Sequence, residues 1–317
     1  MRLSVFIFLL CIAVAGWGQV PVWIDTDPSM APGGHEVDDG IALVQAFASR
    51  EIQIRGVSVV FGNADLATAS RIAKEFVGKF GPGGLSVHFG AGSAGELGRE
   101  TAASMALAEA LRRERLTILV LGPATNVATV LKNHPELGER VEAVIAVAGR
   151  RPGQRFVAGP AQKVPFRDLN FELDPEAFAV LLASKAPITL APWEISSQVW
   201  ITEDEVRKAS RRSAAMEWML PALVDWIAFW EKQFSAHGFN PFDALAVGAV
   251  VDRKDLICSL LGASIETAAS DTAVGTKPFL LVRAVDGAAR RVTYCHDVRP
   301  DFKKHLLRRL GERGRRQ

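Results

Sequence analysis

Apolar positions along this chain follow two periods in turn, and the exchange between them is the first thing the sequence shows. Val22, Trp23 and Ile24 form a short apolar run, after which Ile41, Leu43, Val44 and Phe47 fall at helical spacing. Residues 52–60 alternate as a strand does, and helical spacing returns over 67–80. The exchange continues with strands at 85–89, 116–121 and 141–148 and helices at 102–113 and 126–132. Strand, helix, strand in this order predicts βαβ units, hence an α/β fold whose open, mostly parallel (mixed) sheet carries helices on both faces.

Further along, the rhythm loosens. Residues 149–164 are rich in Gly, Pro and Arg without a period and read as a loop. In 167–173, Asp168, Asn170 and Glu172 alternate with apolar residues and share one face of an extended segment. Asp174-Pro175 is a helix start, with Asp174 as N-cap and Pro175 in the first position. A short strand at 187–191 and a polar turn reaching Trp200 precede one helical stretch, 203–234. Its apolar face (Met216, Trp218, Met219, Leu220, Leu223, Trp226, Ile227, Trp230) is read as core or subunit contact, and it suggests a homo-oligomer. Asp243 opens a helix over 244–251, residues 279–296 read as a hairpin turning at Asp286-Gly287, and a basic helix closes the chain. With no linker or repeat in view, residues 19–317 are read as a single domain.

Composition narrows the class. The chain has 317 residues, 49% hydrophobic, and a formal net charge of +2. Its surplus Lys and Arg gather at the C-terminus, and no basic face interleaved with aromatics points to a nucleic acid. Residues 1–18 have the form of a signal peptide: one basic residue, an apolar run over 3–15, and small residues that place cleavage after Ala15 or Gly18. A secreted or periplasmic protein is expected. That run is too short for a membrane span, so the membrane enters only through the signal peptide, an uncleaved anchor being the alternative. The mature chain keeps Cys258 and Cys295, read as buried small hydrophobes with a disulfide as the alternative.

The candidate chemistry lies where the first strand meets the first helix. Asp25 and Asp27 end the strand, and Asp38 and Asp39 open the helix, where the positive end of the dipole tolerates negative charge. Carboxylates converging there repel each other unless a cation or shared protons intervene, and hard oxygen donors suit Ca²⁺ or Mg²⁺. In a parallel sheet the strand ends gather on one edge. Asn63 and the turn Gly122-Pro123-Ala124-Thr125-Asn126 are therefore expected near the acids.

Five pieces in order resemble the inosine–uridine-preferring nucleoside hydrolase family: D-T-D-P with its D-D, the G-N after the second strand, G-P-A-T-N, D-L-N before D-P-E-A, and P-F-D-A. The resemblance covers roughly residues 20–250 and implies a nucleoside hydrolase-like fold and activity, with a small nucleoside as substrate. It implies Ca²⁺ held by Asp27, Asp39, the Thr125 main-chain carbonyl and Asp243, with Asp25 in support. Asp27 would take a proton from the water that attacks the anomeric carbon. Asp38, Asn63, Asp168 and Asn170 would hold the ribose hydroxyls.

The chain departs from the family pattern in four places, one being the segment after Gly90, which lacks the His-Gly…Gly-Leu stretch common in the family. Residues 29–37 interrupt D-T-D-P-G-x-D-D, and His35 and Glu36 within that insertion are assigned to a loop. Phe242 stands where purine-preferring members often carry a His, and Asp168 where a Glu is usual. No leaving-group acid is named; Glu194, His237 and His296 are the weak candidates, while Trp193 or Trp200 could stack on a base. Two other readings compete: a non-catalytic nucleoside- or sugar-binding protein, and a metal-dependent D-x-D phosphatase with Asp25 and Asp27 at its centre.

Overall fold

Along the central strands, successive residues feed two separate cores. Val22 and Ile24 pack on one face of the sheet and Trp23 on the other, as do Leu119 and Leu121 against Ile118 and Val120. Such strands are buried on both faces, so they read as unbroken apolar runs rather than alternating ones. The structure is a computed structural model describing residues 18–30, 36–284 and 290–312. The signal-peptide reading, His35 and the Asp286-Gly287 turn lie outside the described residues.

In chain order the elements are β1 (Val20–Thr26), α1 (Asp38–Ala48), β2 (Ile52–Val59), α2 (Leu66–Phe80), β3 (Val87–Phe89), α3 (Ala102–Arg113), β4 (Leu116–Val120), α4 (Thr125–Asn133) and β5 (Val141–Ala146). There follow α5 (Leu169–Leu173), α6 (Pro175–Ala183), β6 (Ile188–Leu190), α7 (Trp193–Ser196), α8 (Glu203–Ser210), α9 (Ala214–Phe234) and α10 (Phe242–Val251). The chain ends with β7 (Leu256–Ala269), β8 (Thr276–Arg283), β9 (Arg290–Val298) and α11 (Asp301–Leu310). One sheet of nine strands runs β3-β2-β1-β4-β5-β6-β9-β7-β8. Strands β1 to β6 and β9 are parallel, and β7 lies antiparallel to both its neighbours. The fold is thus the expected α/β one, with a mixed sheet. Strand order reverses between β1 and β4, and a crevice opens at the carboxyl ends there.

Local chemistry accounts for the boundaries. Asp65 caps α2 through the Thr68 N–H at 2.8 Å, Thr101 and Ser104 form a capping box on α3, and Asp174 caps α6 through the Ala177 N–H at 3.0 Å.

Four expectations are corrected. Residues 169–173 form the short helix α5 rather than an extended segment: Glu172 donates its N–H back to the Asp168 carbonyl at 2.8 Å and its side chain accepts the Asp168 N–H at 3.0 Å. The stretch 203–234 is two helices, because Ser213 caps α9 afresh. Trp193–Ser196 adds a helical turn where a polar turn was expected. Strands β8 and β9 are not a hairpin: β7 lies between them and pairs with both, and the tight turn joins β7 to β8, where the Ser270 N–H donates to the Gly275 carbonyl at 2.9 Å. Gly275 has φ +111°, a conformation that side chains other than glycine rarely adopt.

The cysteines are corrected too. Cys258 and Cys295 face each other across the β7–β9 ladder and form a disulfide, and Cys258 is exposed rather than buried.

Candidate functional site

A cavity of about 440 Å³ opens at the carboxyl ends of the strands. One end is floored by Glu36, Asp38, Asn63, Asp168, Asn170 and Asp243, and the other is walled by Phe156, Phe166, Trp193, Trp226, Trp230 and Phe242. Helix N-termini aim at the acidic end: Asp38 and Asp39 sit in the first turn of α1, Thr125 opens α4, Asp243 lies in the first turn of α10, and Asp168 precedes α5. Their partial positive charge offsets part of the repulsion among the acids.

Asp27 is wholly buried where β1 ends. Its Oδ2 accepts the Asn63 N–H at 2.7 Å, its own N–H donates to Asp39 Oδ1 at 3.2 Å, and its Oδ1 has no hydrogen-bond partner. Gly62 and Gly122 form its cradle: a Cβ at either would lie 1.8 and 2.7 Å from the Asp27 carboxylate oxygens, so only glycine lets the backbone approach this closely. Asp39 accepts the Thr26 hydroxyl and the Asn63 side-chain amide. Asp38 lies within hydrogen-bonding reach of both Glu36 and Asp243, although two hundred residues of sequence separate it from the latter.

Asp25 stands one layer deeper. It accepts hydrogen bonds from the Ser58 hydroxyl and from the Asn126 amide at 2.9 Å, and the Trp23 indole N–H fixes Ser58 at 2.8 Å. Asp25 has no exposed surface and its hydrogen bonds run to Ser58 and Asn126, so it stands as a support beneath Asp27. Thr125 is buried, and its hydroxyl donates to Asp174.

Burial and mutual repulsion act on all these acids. Burial lifts Asp25 to about 7 against an ordinary 3.8, and Asp39 to about 7 with the charge of Asp38 adding to it. Burial pushes Asp38 up as well. Asp27 is pushed well up by burial and then by Asp39, and Glu36 and Asp243 by burial and then by Asp38. So many carboxylates cannot all ionise in one dry pocket unless a cation neutralises them. The all-oxygen donor set, the glycine cradle and the unpaired Asp27 Oδ1 fit a hard divalent ion.

Asp168 and Asn170 reach the cavity from α5. Asp168 accepts the Gly149 N–H at 2.9 Å, and burial lifts it to about 6 while the Arg150 guanidinium holds it back. Asn170 donates to the Leu121 and Val147 carbonyls at 2.6 and 3.1 Å, tying α5 to the ends of β4 and β5. Asn63 donates its amide to Glu36 at 3.0 Å and to Asp39 at 3.4 Å, which holds those acids in place.

The three weak acid candidates lie outside the cavity lining. Glu194 accepts from Arg151 and from the Tyr294 hydroxyl, His237 pairs with Glu231, and His296 pairs with Ser259. Of the two tryptophans considered for stacking, Trp193 lines the cavity; Trp200 instead packs edge-on against Trp230.

Two groups of residues escaped the sequence reading. Glu36, assigned to a loop, enters the site, and its position two residues before the Asp pair was the only signal. Trp226 and Trp230, read as core, also line the cavity; their place on a core-facing stripe hid that role.

Fold and site together define an α/β enzyme with an acidic, cation-ready floor beside an aromatic pocket. The family model for the inosine-uridine preferring nucleoside hydrolases matches residues 22–301, and the chain belongs to that family, as an enzyme of the N-ribosyl hydrolase type. It is 25% identical over 240 residues to the pyrimidine-specific ribonucleoside hydrolase RihA of Citrobacter koseri, covering 67% of this chain and 72% of that protein. Identity to the non-specific ribonucleoside hydrolase RihC of Escherichia fergusonii is 26% over 212 residues, covering 59% and 65%. A plant nucleoside hydrolase superposes with a TM-score of 0.75 at 20% identity, covering 93% of this chain and 99% of its own. A purine-preferring ribonucleoside hydrolase from Gardnerella vaginalis gives 0.76 at 18%, covering 92% and 98%.

Proposed function

We propose that this protein is a calcium-dependent hydrolase that cleaves the N-glycosidic bond of ribonucleosides, releasing base and ribose. The observation that carries the reading is the meeting of Asp38 and Asp243, from opposite ends of the sequence, on the floor of a cavity whose far wall is aromatic, with the buried Asp27 and Asp39 close enough for their charges to act on Asp243. A ribonucleoside has the same two ends, a polyhydroxylated sugar and a flat base.

Asp27, Asp39, Asp243 and the Thr125 carbonyl would hold the cation. When bound, the ion supplies Lewis acidity that lowers the pKa of a water. Asp27 accepts the proton of the attacking water on its carboxylate, while Asp25 beneath it fixes the end of β1 through Ser58 and Asn126. Asp38, Asp168 and Asn170 orient the ribose hydroxyls, and Asn63 orients the acids around them. The negative floor stabilises the oxocarbenium-like charge that develops on the sugar. The base leaves into the aromatic pocket, where Trp193 and its neighbours can stack on it.

The C-terminal disulfide and the N-terminal apolar run support export, and we place the mature protein, residues 19–317 as one domain, outside the cytoplasm. Incubating purified protein with a panel of purine and pyrimidine ribonucleosides, with and without chelator, tests the reading: base released only without chelator is the expected result.

One observation favours a second reading. Among the described residues no histidine lines the cavity, which leaves departure of the base without an imidazole acid. Saturable nucleoside binding with no release of base from any of the panel would assign the protein to binding rather than turnover.

A further inference from the structure

Glu36 is the penultimate residue of the segment that interrupts the acidic motif, and it reaches the site by defined contacts. The Asp38 main-chain N–H donates to its Oε1, and the Asn63 amide donates to its Oε2 at 3.0 Å. One oxygen from each of Glu36, Asp38 and Asp39 lies within 4.8 Å of the others, a spacing that one ion can bridge. Glu36 also lines the cavity, as Asp38 and Asp243 do.

Acids grouped in this way can be no more than a capped helix start, and the Asp38 N–H contact alone would be read so. The second observation lies next to them. Asp27 is fully buried, in contact with Asp39 through its own N–H, and its Oδ1 accepts no hydrogen bond from the described residues. An unpaired buried carboxylate oxygen is costly unless something positive meets it. Asp39, to which the Asp27 N–H donates, is itself a member of the Glu36, Asp38 and Asp39 group, so the carboxylate with the unpaired oxygen adjoins that group through Asp39.

We infer that Glu36 is a ligand of the divalent cation, delivered by the inserted segment and added to Asp27, Asp39 and Asp243. The inference rests on the cation site of the proposed function and extends it. Calcium accepts six to eight oxygens in flexible geometry, so an additional carboxylate can be accommodated, and each added charge tightens binding. Each Glu36 oxygen spends one lone pair on an N–H and keeps another for the ion. Asn63 would then join the two carboxylates it touches, holding Glu36 and Asp39 at the separation an ion needs.

The test uses the full mature chain stripped of metal with chelator and titrated with Ca²⁺ by calorimetry, comparing wild type with Glu36→Gln, Glu36→Asp and the remote control Glu176→Gln. Glu36→Gln keeps the length and the acceptor for the Asp38 N–H and loses only the charge. It is expected to weaken calcium binding tenfold or more, with Glu36→Asp between it and wild type and Glu176→Gln unchanged. Melting of each metal-free variant, and its rise on adding Ca²⁺, is the second readout; the rise is expected to shrink for Glu36→Gln. Calcium affinity for Glu36→Gln within twofold of wild type overturns the inference while leaving the proposed function intact. Wild-type protein that binds no calcium overturns both.

Discussion

The two ends of the cavity are built on opposite principles. At the acidic end each of these acids is fixed by a named donor: Asp27 by the Asn63 N–H, Asp39 by Thr26, Asp25 by Ser58 and Asn126, Asp168 by Gly149. At the aromatic end the rings are held by packing, much of it on one another, with Trp193 5.6 Å from Phe156, 5.5 Å from Phe166 and 5.3 Å from Phe242. Fixed hydrogen bonds set charges to within fractions of an ångström, which bond cleavage requires. Ring packing tolerates a change of shape. The chemistry is therefore expected to be brittle at the floor and the choice of base to be adjustable at the wall.

The sharpest way to break that contrast is at Asp27. Asp27→Asn keeps the volume and the Asn63 contact but removes the base. Turnover is expected to fall by 10³-fold or more, about 4 kcal/mol of barrier, with the fold retained in circular dichroism. A loss below tenfold would mean that the floor is not where the proton goes.

Asp168 offers a smaller effect with a definite sign. Burial raises its pKa from 3.8 to about 6. A carboxyl raised in the folded state favours folding in full below about pH 4, and that contribution is lost as the pH rises through about 6. Under the proposed function the activity runs the other way, because the ionised form would accept a ribose hydroxyl. Asp168→Asn is expected to lower kcat/KM by about 10²-fold above pH 6, to flatten the acid limb near pH 6, and to leave the melting temperature at pH 8 unchanged or higher. A lower melting temperature at pH 8 together with unchanged kcat/KM would make Asp168 structural only.

At the wall the expected effects are smaller again. Trp193→Ala removes one stacking face and should cost about tenfold in kcat/KM, unequally between purine and pyrimidine nucleosides, while Ca²⁺ binding is untouched. Equal losses for every base would mean that the wall only excludes water.

The same contrast explains what the sequence disclosed. Asp25, Asp27, Asp38 and Asp39 were legible because chemistry demands particular side chains at strand ends and helix starts, and the βαβ rhythm says that these ends meet; Asp243 was legible only through the resemblance of P-F-D-A to the family pattern. The wall was legible only in part. Trp226 and Trp230 sit on a stripe that faces the core, and one helix face can serve packing and ligand together, so periodicity does not separate the roles. Glu36 was lost because a residue in an insertion has no register until the chain on either side is placed. The C-terminal sheet was misread for a related reason. The pairing of β7 with both β8 and β9 is a tertiary choice, and the apolar alternation of 279–296 fits a local hairpin equally well. Likewise, no spacing in the sequence brings Cys258 opposite Cys295; only the position of β9 between β6 and β7 does so.

That disulfide gives the last test, since it belongs to neither end of the cavity. It joins residues 37 apart in sequence, and constraining the unfolded chain over such a loop contributes about 4 kcal/mol in chain-entropy terms. Because Cys295 is buried and Cys258 faces outward, serine at both positions leaves one buried hydroxyl and little else to repair. Cys258→Ser with Cys295→Ser is expected to lower the denaturant midpoint by an amount equivalent to a few kcal/mol while kcat and KM stay within twofold. The link between this region and the site runs through the β7–β8 turn, where Asp271 pairs with Arg150 and Lys277 with Glu172, each at 2.7 Å. Those ion pairs hold α5 and the end of β5 from behind, independently of the β7–β9 ladder that the disulfide crosses. A matching drop in kcat would show that the β7–β9 ladder, too, sets the position of Asp168, and would extend the rigid half of the molecule beyond the acidic floor.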